Sequence, residues 1–122
     1  MEDDKHRLAE LCGLELGMTN ILDDKSLRSV SVEGYYFMRN GMHHKLFCLF
    51  EQWDPFTNIE QAMMVAEAMR VKLFSIELHS ECLNAPLWFA RFNEVLQGES
   101  DWTPGNSPAE AICRAALATK EG

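Results

Sequence analysis

The clearest run of alternating apolar and polar positions lies near the end of the chain. Ala109, Ile112, Cys113, Ala116 and Leu117 recur at helical spacing and form one narrow stripe. Ser107 precedes the run, Pro108 fits the first helical position, and Glu110 follows Ser107 by three residues, which is the spacing of a capping box. Small Ala side chains on the stripe let such a helix lie close against a sheet. A second helix is predicted through Ile59, Ala62, Met63, Ala66 and Met69, with Thr57 and Glu60 as its capping pair. A short first helix is expected from Glu2-Asp3-Asp4, with Leu8, Leu11 and Cys12 on one face and Gly13 where a left-handed C-cap belongs.

Between these helices the period falls to two. Gly34 to Met38 is aromatic and extended in character, Asn40-Gly41 is a two-residue hairpin signal, and Lys45 to Phe50 is a short apolar run, so one hairpin is predicted here. Trp53-Asp54-Pro55 stops it, because proline donates no ladder hydrogen bond. Phe74, Ile76 and Leu78 alternate on one side of a further strand, and Trp88, Ala90 and Phe92 on one side of the next. Residues 18–33 mix polar and apolar positions without a sustained period and read as a connection, with a weak turn or strand at 29–32. Residues 97–106 read as a surface loop before the last helix. The pattern as a whole predicts one α+β domain over residues 1–122, with helices covering a small, mainly antiparallel sheet.

Composition narrows the functional classes. With 122 residues there is room for one core, and 11 basic against 19 acidic residues give a net charge of −8. That charge repels a phosphate backbone and disfavours direct nucleic-acid binding. No apolar run reaches the ~20 residues that a membrane-spanning helix needs. Four widely spread cysteines, with no leader pattern after Met1, lead to the expectation of a reducing cytoplasm.

Two segments together resemble the phage ABA (alpha-beta-alpha) sandwich domain, a family of small bacteriophage and prophage proteins. One is Trp53-Asp54-Pro55-Phe56-Thr57-Asn58-Ile59 running into the helix over 62–70, and the other is the capped, Ala-rich stretch 107–117. The hairpin containing Trp88 and the first helix ending at Gly13 are compatible with it, so the resemblance extends over nearly the whole chain. It implies a three-layer α-β-α sandwich and a phage or prophage origin, and it brings no catalytic motif and therefore no site residue.

Catalytic and ligand chemistry finds little support in the residues. His43, His44, Cys48, His79 and Cys82 are the potential zinc ligands, but His79 and Cys82 make only a half-site, and no second compact pair answers it. A cysteine nucleophile would draw on Cys48, Cys82, His79 and Asn84. The acidic pairs Glu77 with Glu81 and Asp54 with Glu60 have no partner that would split their acidities. All seven glycines are singletons, so no phosphate-cradling loop exists. No metal or cofactor is expected, and no enzymatic activity.

The candidate contact residues are Trp102 and Asp101, in the last loop, with Tyr35 and Tyr36, on a strand that is apolar on both faces. Trp53 and Trp88 are explained more simply as core. The expected role is a non-enzymatic accessory protein in the host cell cytoplasm. It binds a host protein, a basic nucleic-acid-handling or defence protein for example, and inhibits antiviral defence; a homodimer through an open sheet edge is part of that expectation. The alternative is sequestration of a nucleotide signal, and the feature that would favour it is Arg28, Arg39, Arg70 or Arg91 lying near an aromatic ring.

Overall fold

The structure is a computed structural model and describes residues 2–23, 25, 27–72, 74–81, 87–94 and 101–119. Its helices are α1 (Glu2–Leu11), α2 (Ile59–Val71) and α3 (Pro108–Ala118). Its strands are β1 (Leu14–Asp23), β2 (Arg28–Arg39), β3 (Met42–Leu49), β4 (Phe74–Glu81), β5 (Leu87–Glu94) and β6 (Thr103–Gly105). The α+β class is the one expected, and the set of elements is consistent with an α-β-α sandwich. Among the described residues the strands divide between two antiparallel three-stranded sheets, ordered β1-β2-β3 and β4-β5-β6, rather than gathering in one. The chain accordingly forms two compact units, Gly13–Trp53 and the combination of Met1–Cys12 with Asp54–Gly122.

In the unit formed by both ends of the chain, the helices supply most of the interior. Helix α3 packs on α2, β5 and β6, and its Ala109, Ala111, Ile112, Cys113, Ala115 and Ala116 are all buried. Burying a side chain the size of Ile112 contributes about 1.5–3 kcal/mol, and the surrounding alanines let the helix axis approach the sheet. Ser107 caps α3 as its sequence predicts, its hydroxyl accepting from the Glu110 amide at 3.1 Å. The Glu110 carboxylate reaches back one residue further than the usual box and accepts from the Asn106 amide at 2.6 Å.

The cap of α2 differs from expectation. Asn58, not Thr57, accepts the Gln61 amide, at 3.1 Å. Thr57 is already committed, its hydroxyl donating to the Asp54 carboxylate at 2.8 Å. Gln61 is 7 % exposed and its side-chain oxygen accepts from the Asp54 amide at 2.6 Å, so the turn and the helix start are tied together. The buried face of α2 is Gln61, Ala62, Val65, Ala66 and Met69, and Ile59 and Met63, both expected inside, are exposed.

The hairpin unit is a three-stranded meander. Residues 18–33, expected as a connection, instead form the greater part of β1 and β2, paired without interruption from Leu14 with Phe37 to Asp23 with Arg28. The Asn40-Gly41 turn between β2 and β3 is where it was expected, both residues at positive φ (55° and 77°) as a type I′ turn requires. Two register shifts interrupt the β2–β3 ladder, and a single 3-10 turn, Phe50–Gln52, follows β3. Tyr35, Phe47, Phe50 and Trp53 form the aromatic interior of this unit.

Candidate interaction surface

Strand alternation places Glu77 and His79 of β4 on the same face as Arg91 and Phe89 of β5, because the ladder pairs Glu77 with Arg91 and His79 with Phe89. The other face carries Ala90 and Phe92, both buried at 1 % exposure or less. The β6 register pairs Phe89 with Pro104 and Ala90 with Thr103, which brings Trp102, one residue before β6, alongside Arg91. Pairing geometry alone therefore assembles Glu77, His79, Phe89, Arg91 and Trp102.

Their contacts lock this assembly. The Arg91 guanidinium carbon lies 4.2 Å from the centroid of the Trp102 ring, a cation–π contact of about 0.5–1 kcal/mol at an exposed site. Arg91 Nε donates to Glu77 Oε1 at 2.7 Å, and a second guanidinium nitrogen pairs with the same carboxylate oxygen. His79 stands 6.0 Å from Trp102 and 6.3 Å from Phe89, ring centre to ring centre. Arg91 is sandwiched, with only 15 % of its side chain exposed, whereas Trp102 keeps 40 % exposure. A large ring is thus held in one orientation with part of its surface open, and Asp101, also exposed, stands next to it in the chain. An aromatic anchor that is already ordered loses little freedom on binding, which is what gives such residues their weight at interfaces.

The other candidates separate from this group. Tyr35 is 1 % exposed, stacked 6.0 Å from Phe50, and this corrects its expected role: it is a core residue of the hairpin unit and cannot be a contact residue. Tyr36 is half-buried, its ring 4.5 Å from that of His43 and nearly parallel, and its hydroxyl donates to the Met18 carbonyl at 3.0 Å. His43 also lies 3.3 Å from a Glu15 carboxylate oxygen. Trp53, at 2 % exposure, is core.

No group of three His, Cys, Asp or Glu side chains among the described residues is arranged to hold a metal ion. Cys82 and Asn84, named above as candidates, lie outside the described residues. Burial pushes the Cys48 thiol up, the Cys12 thiol up to about 11, and the Cys113 thiol, with smaller contributions from Cys12 and Asp54, up to about 12. These environments suppress the thiolate, the reverse of what activates a cysteine nucleophile. Of the four arginines named above, Arg70 pairs with Glu67 at 2.7 Å, and Arg91 is the one lying over an aromatic ring. Among the described residues no helix is long and apolar enough to cross a membrane.

The sequence singles out Trp102 and Asp101 but gives no sign that Arg91, His79 and Glu77 join them. The available signal was register: counting β4 back from Glu81 and β5 forward from Leu87 pairs Glu77 with Arg91.

Fold and surface together define a small α+β protein with a preorganised aromatic-cationic patch on one sheet. The model of the phage ABA sandwich domain family matches residues 19–117, and the chain belongs to that family; it is thus a phage protein by class. Both segments that carry the resemblance, 53–59 and 107–117, lie inside the match. No curated protein and no solved structure gives a significant match.

Proposed function

We propose that this phage protein is a non-enzymatic accessory factor that acts in the host cytoplasm by binding a host protein, with inhibition of a host defence system as the consequence. The observation that carries the reading is Trp102, held by Arg91 at 4.2 Å and still 40 % exposed. Trp and Arg dominate the energetics of protein interfaces, where one such anchor is worth about 2 kcal/mol or more. The net charge of −8 favours encounter with basic partners.

Arg91 over an aromatic ring is also the feature that favours the second reading, sequestration of a nucleotide signal. Glu77 already meets the guanidinium charge, which leaves Arg91 poorly placed to clamp a phosphate, so the protein partner is preferred. Thermal-shift measurements separate the two, since a nucleotide at about a hundredfold its Kd would add about 2.7 kcal/mol of stability. Capture from host lysate with the wild-type protein and with Trp102→Ala tests the first reading. A host protein is expected to be recovered stoichiometrically at low salt, less at high salt, and to be lost from the variant. Recovery that Trp102→Ala leaves unchanged, or recovery of the chain alone, refutes it.

A further inference from the structure

Strand β2 outruns one of its neighbours. Its ladder with β3 ends where Gly34 pairs with Leu49, because the chain then leaves the sheet through the 3-10 turn Phe50–Gln52. From Glu33 back to Arg28, β2 pairs with β1 alone among the described residues. Arg28, Ser29, Val30, Ser31 and Glu33 are all exposed, so this stretch of edge lies open. It has neither Lys nor Pro, and its pairing with β1 holds no bulge, the devices that ordinarily blunt an edge. The two-stranded part of the meander also exposes Met18, Leu22, Leu27 and Val30, and a two-stranded ribbon alone is only marginally stable in water. Beside the end of β3 is a notch of about 380 Å³ with Ile21, Val32, Leu49 and Phe50 in its lining.

We propose that this edge of β2 pairs with the same edge of a second copy of the chain, antiparallel and about a two-fold axis at Val30. Two antiparallel strands related by a two-fold share one sheet only if the axis is normal to it, so one residue must oppose itself. An axis at Val30 opposes Val30 to Val30, Ser29 to Ser31, Arg28 to Val32 and Leu27 to Glu33. That register uses the whole open edge and stops short of Gly34, whose outer side Leu49 already holds. An axis at Ser31 would set Arg28 against Gly34 and so against Leu49. With the axis at Val30, the exposed Leu27 of each copy comes to the apolar notch of the other. Charge selects a second copy over a basic partner: Arg28 and Glu33 cancel, so the net charge of −8 lies wholly outside the edge. A basic segment gains nothing there, whereas two copies that repel each other elsewhere meet along a stretch without net charge. The inference is independent of the host-protein reading and does not draw on Trp102.

Sedimentation equilibrium of the full chain is expected to show a reversible monomer–dimer exchange. Added salt, which screens the repulsion between two chains of charge −8, is expected to tighten the dimer about threefold or more. Val30→Lys sets two ammonium groups face to face at the axis and is expected to weaken the dimer about tenfold or more, with the circular dichroism spectrum of the wild type. Val30→Cys is expected to give, on air oxidation, a disulfide that peptide mapping places between position 30 of one copy and position 30 of the other. Ser31→Cys, which faces Ser29 rather than itself, is expected to give none. A chain that stays monomeric at millimolar concentration, a dimer that salt weakens, or a dimer that Val30→Lys leaves intact overturns the proposal. Cross-linking at position 31 in place of position 30 overturns it as well.

Discussion

The two sheets, both antiparallel and three-stranded, close the space around their glycines with opposite materials. In the β4-β5-β6 sheet, small residues of α3 bring helix backbone against strand backbone. A Cβ built on Gly105 would lie 2.5 Å from the Ala111 amide nitrogen and 2.8 Å from the Ala111 Cα. In the β1-β2-β3 sheet, Gly17 and Gly34 face each other across the ladder, and the space above them is taken by side chains. A Cβ on Gly17 would meet the His43 ring, and one on Gly34 would lie 2.7 Å from the Leu46 Cδ1. The first arrangement is backbone against backbone and has no slack. The second is closed by groups that rotate about single bonds.

Alanine substitution at the glycines breaks this comparison most sharply. Gly105→Ala is expected to destabilise the protein by about 3 kcal/mol or more, because α3 must move away from β6 as a whole. Gly34→Ala should cost about 1–2 kcal/mol, since Leu46 can turn aside but the Cys48 carbonyl, 3.2 Å from the new methyl group, cannot. Gly17→Ala should cost least, about 1 kcal/mol, and should displace the His43 ring from its stack on Tyr36. Urea denaturation gives the order, and the ring-current shift of the His43 protons reports the displacement. An equal cost at all three positions would mean that the hairpin unit is packed as rigidly as the other.

The same contrast explains what was legible in the chain. Helix α3 was readable because its cap, its first-turn proline and its apolar stripe agree with one another. The β1-β2 hairpin was not, since its residues 18–33 lack the alternation that a sheet with one buried face would impose: Met18, Leu22 and Val30 are exposed. Its connection also carries no Asn-Gly or Asp-Gly pair, and Leu27 takes a positive φ (58°) in its place. For α2 the expected capping pair was Thr57 with Glu60, and the structure uses Asn58 with the Gln61 amide, one residue further on. The choice is made by Asp54, which engages Thr57, a contact that helical periodicity does not encode. Trp102 was legible as an oddity in a loop, while its partners depended on a register that alternation alone leaves open.

Cap removal sharpens the comparison at a smaller scale. Ser107→Ala and Asn58→Ala are each expected to cost about 1 kcal/mol, as the Glu110 and Gln61 amides lose their acceptors. Thr57→Ala should cost less than Asn58→Ala, the reverse of what the Thr57 capping pair predicts. Thermal melts of the three variants decide between the two registers, and a larger loss at Thr57 would place the cap there.

The thiols give the gentlest test, because at neutral pH they leave stability unchanged. Cys12 and Cys113, in the helix-bearing unit, have thiols raised from the ordinary 9.0 to about 11 and about 12 by burial. Since the folded state resists their ionisation, the stabilisation is fully present below pH 9, where both folded and unfolded thiols are protonated. It is lost as the pH climbs from 9 toward 11 and 12, because the unfolded chain ionises first and is favoured. Unfolding free energy is therefore expected to decline above pH 9, and Cys113→Ala should make that decline shallower, whatever it costs through the lost sulfur atom. Cys48, in the hairpin unit, is raised in the same direction and is half-buried, as Cys12 is, whereas Cys113 is fully buried. Iodoacetamide at pH 8 should alkylate Cys48 before Cys12, and Cys12 before Cys113, as mapped by mass spectrometry. If Cys113 reacts as fast as Cys48, then α3 separates from its sheet as readily as the hairpin strands exchange their side-chain cover, and the contrast between the two sheets fails.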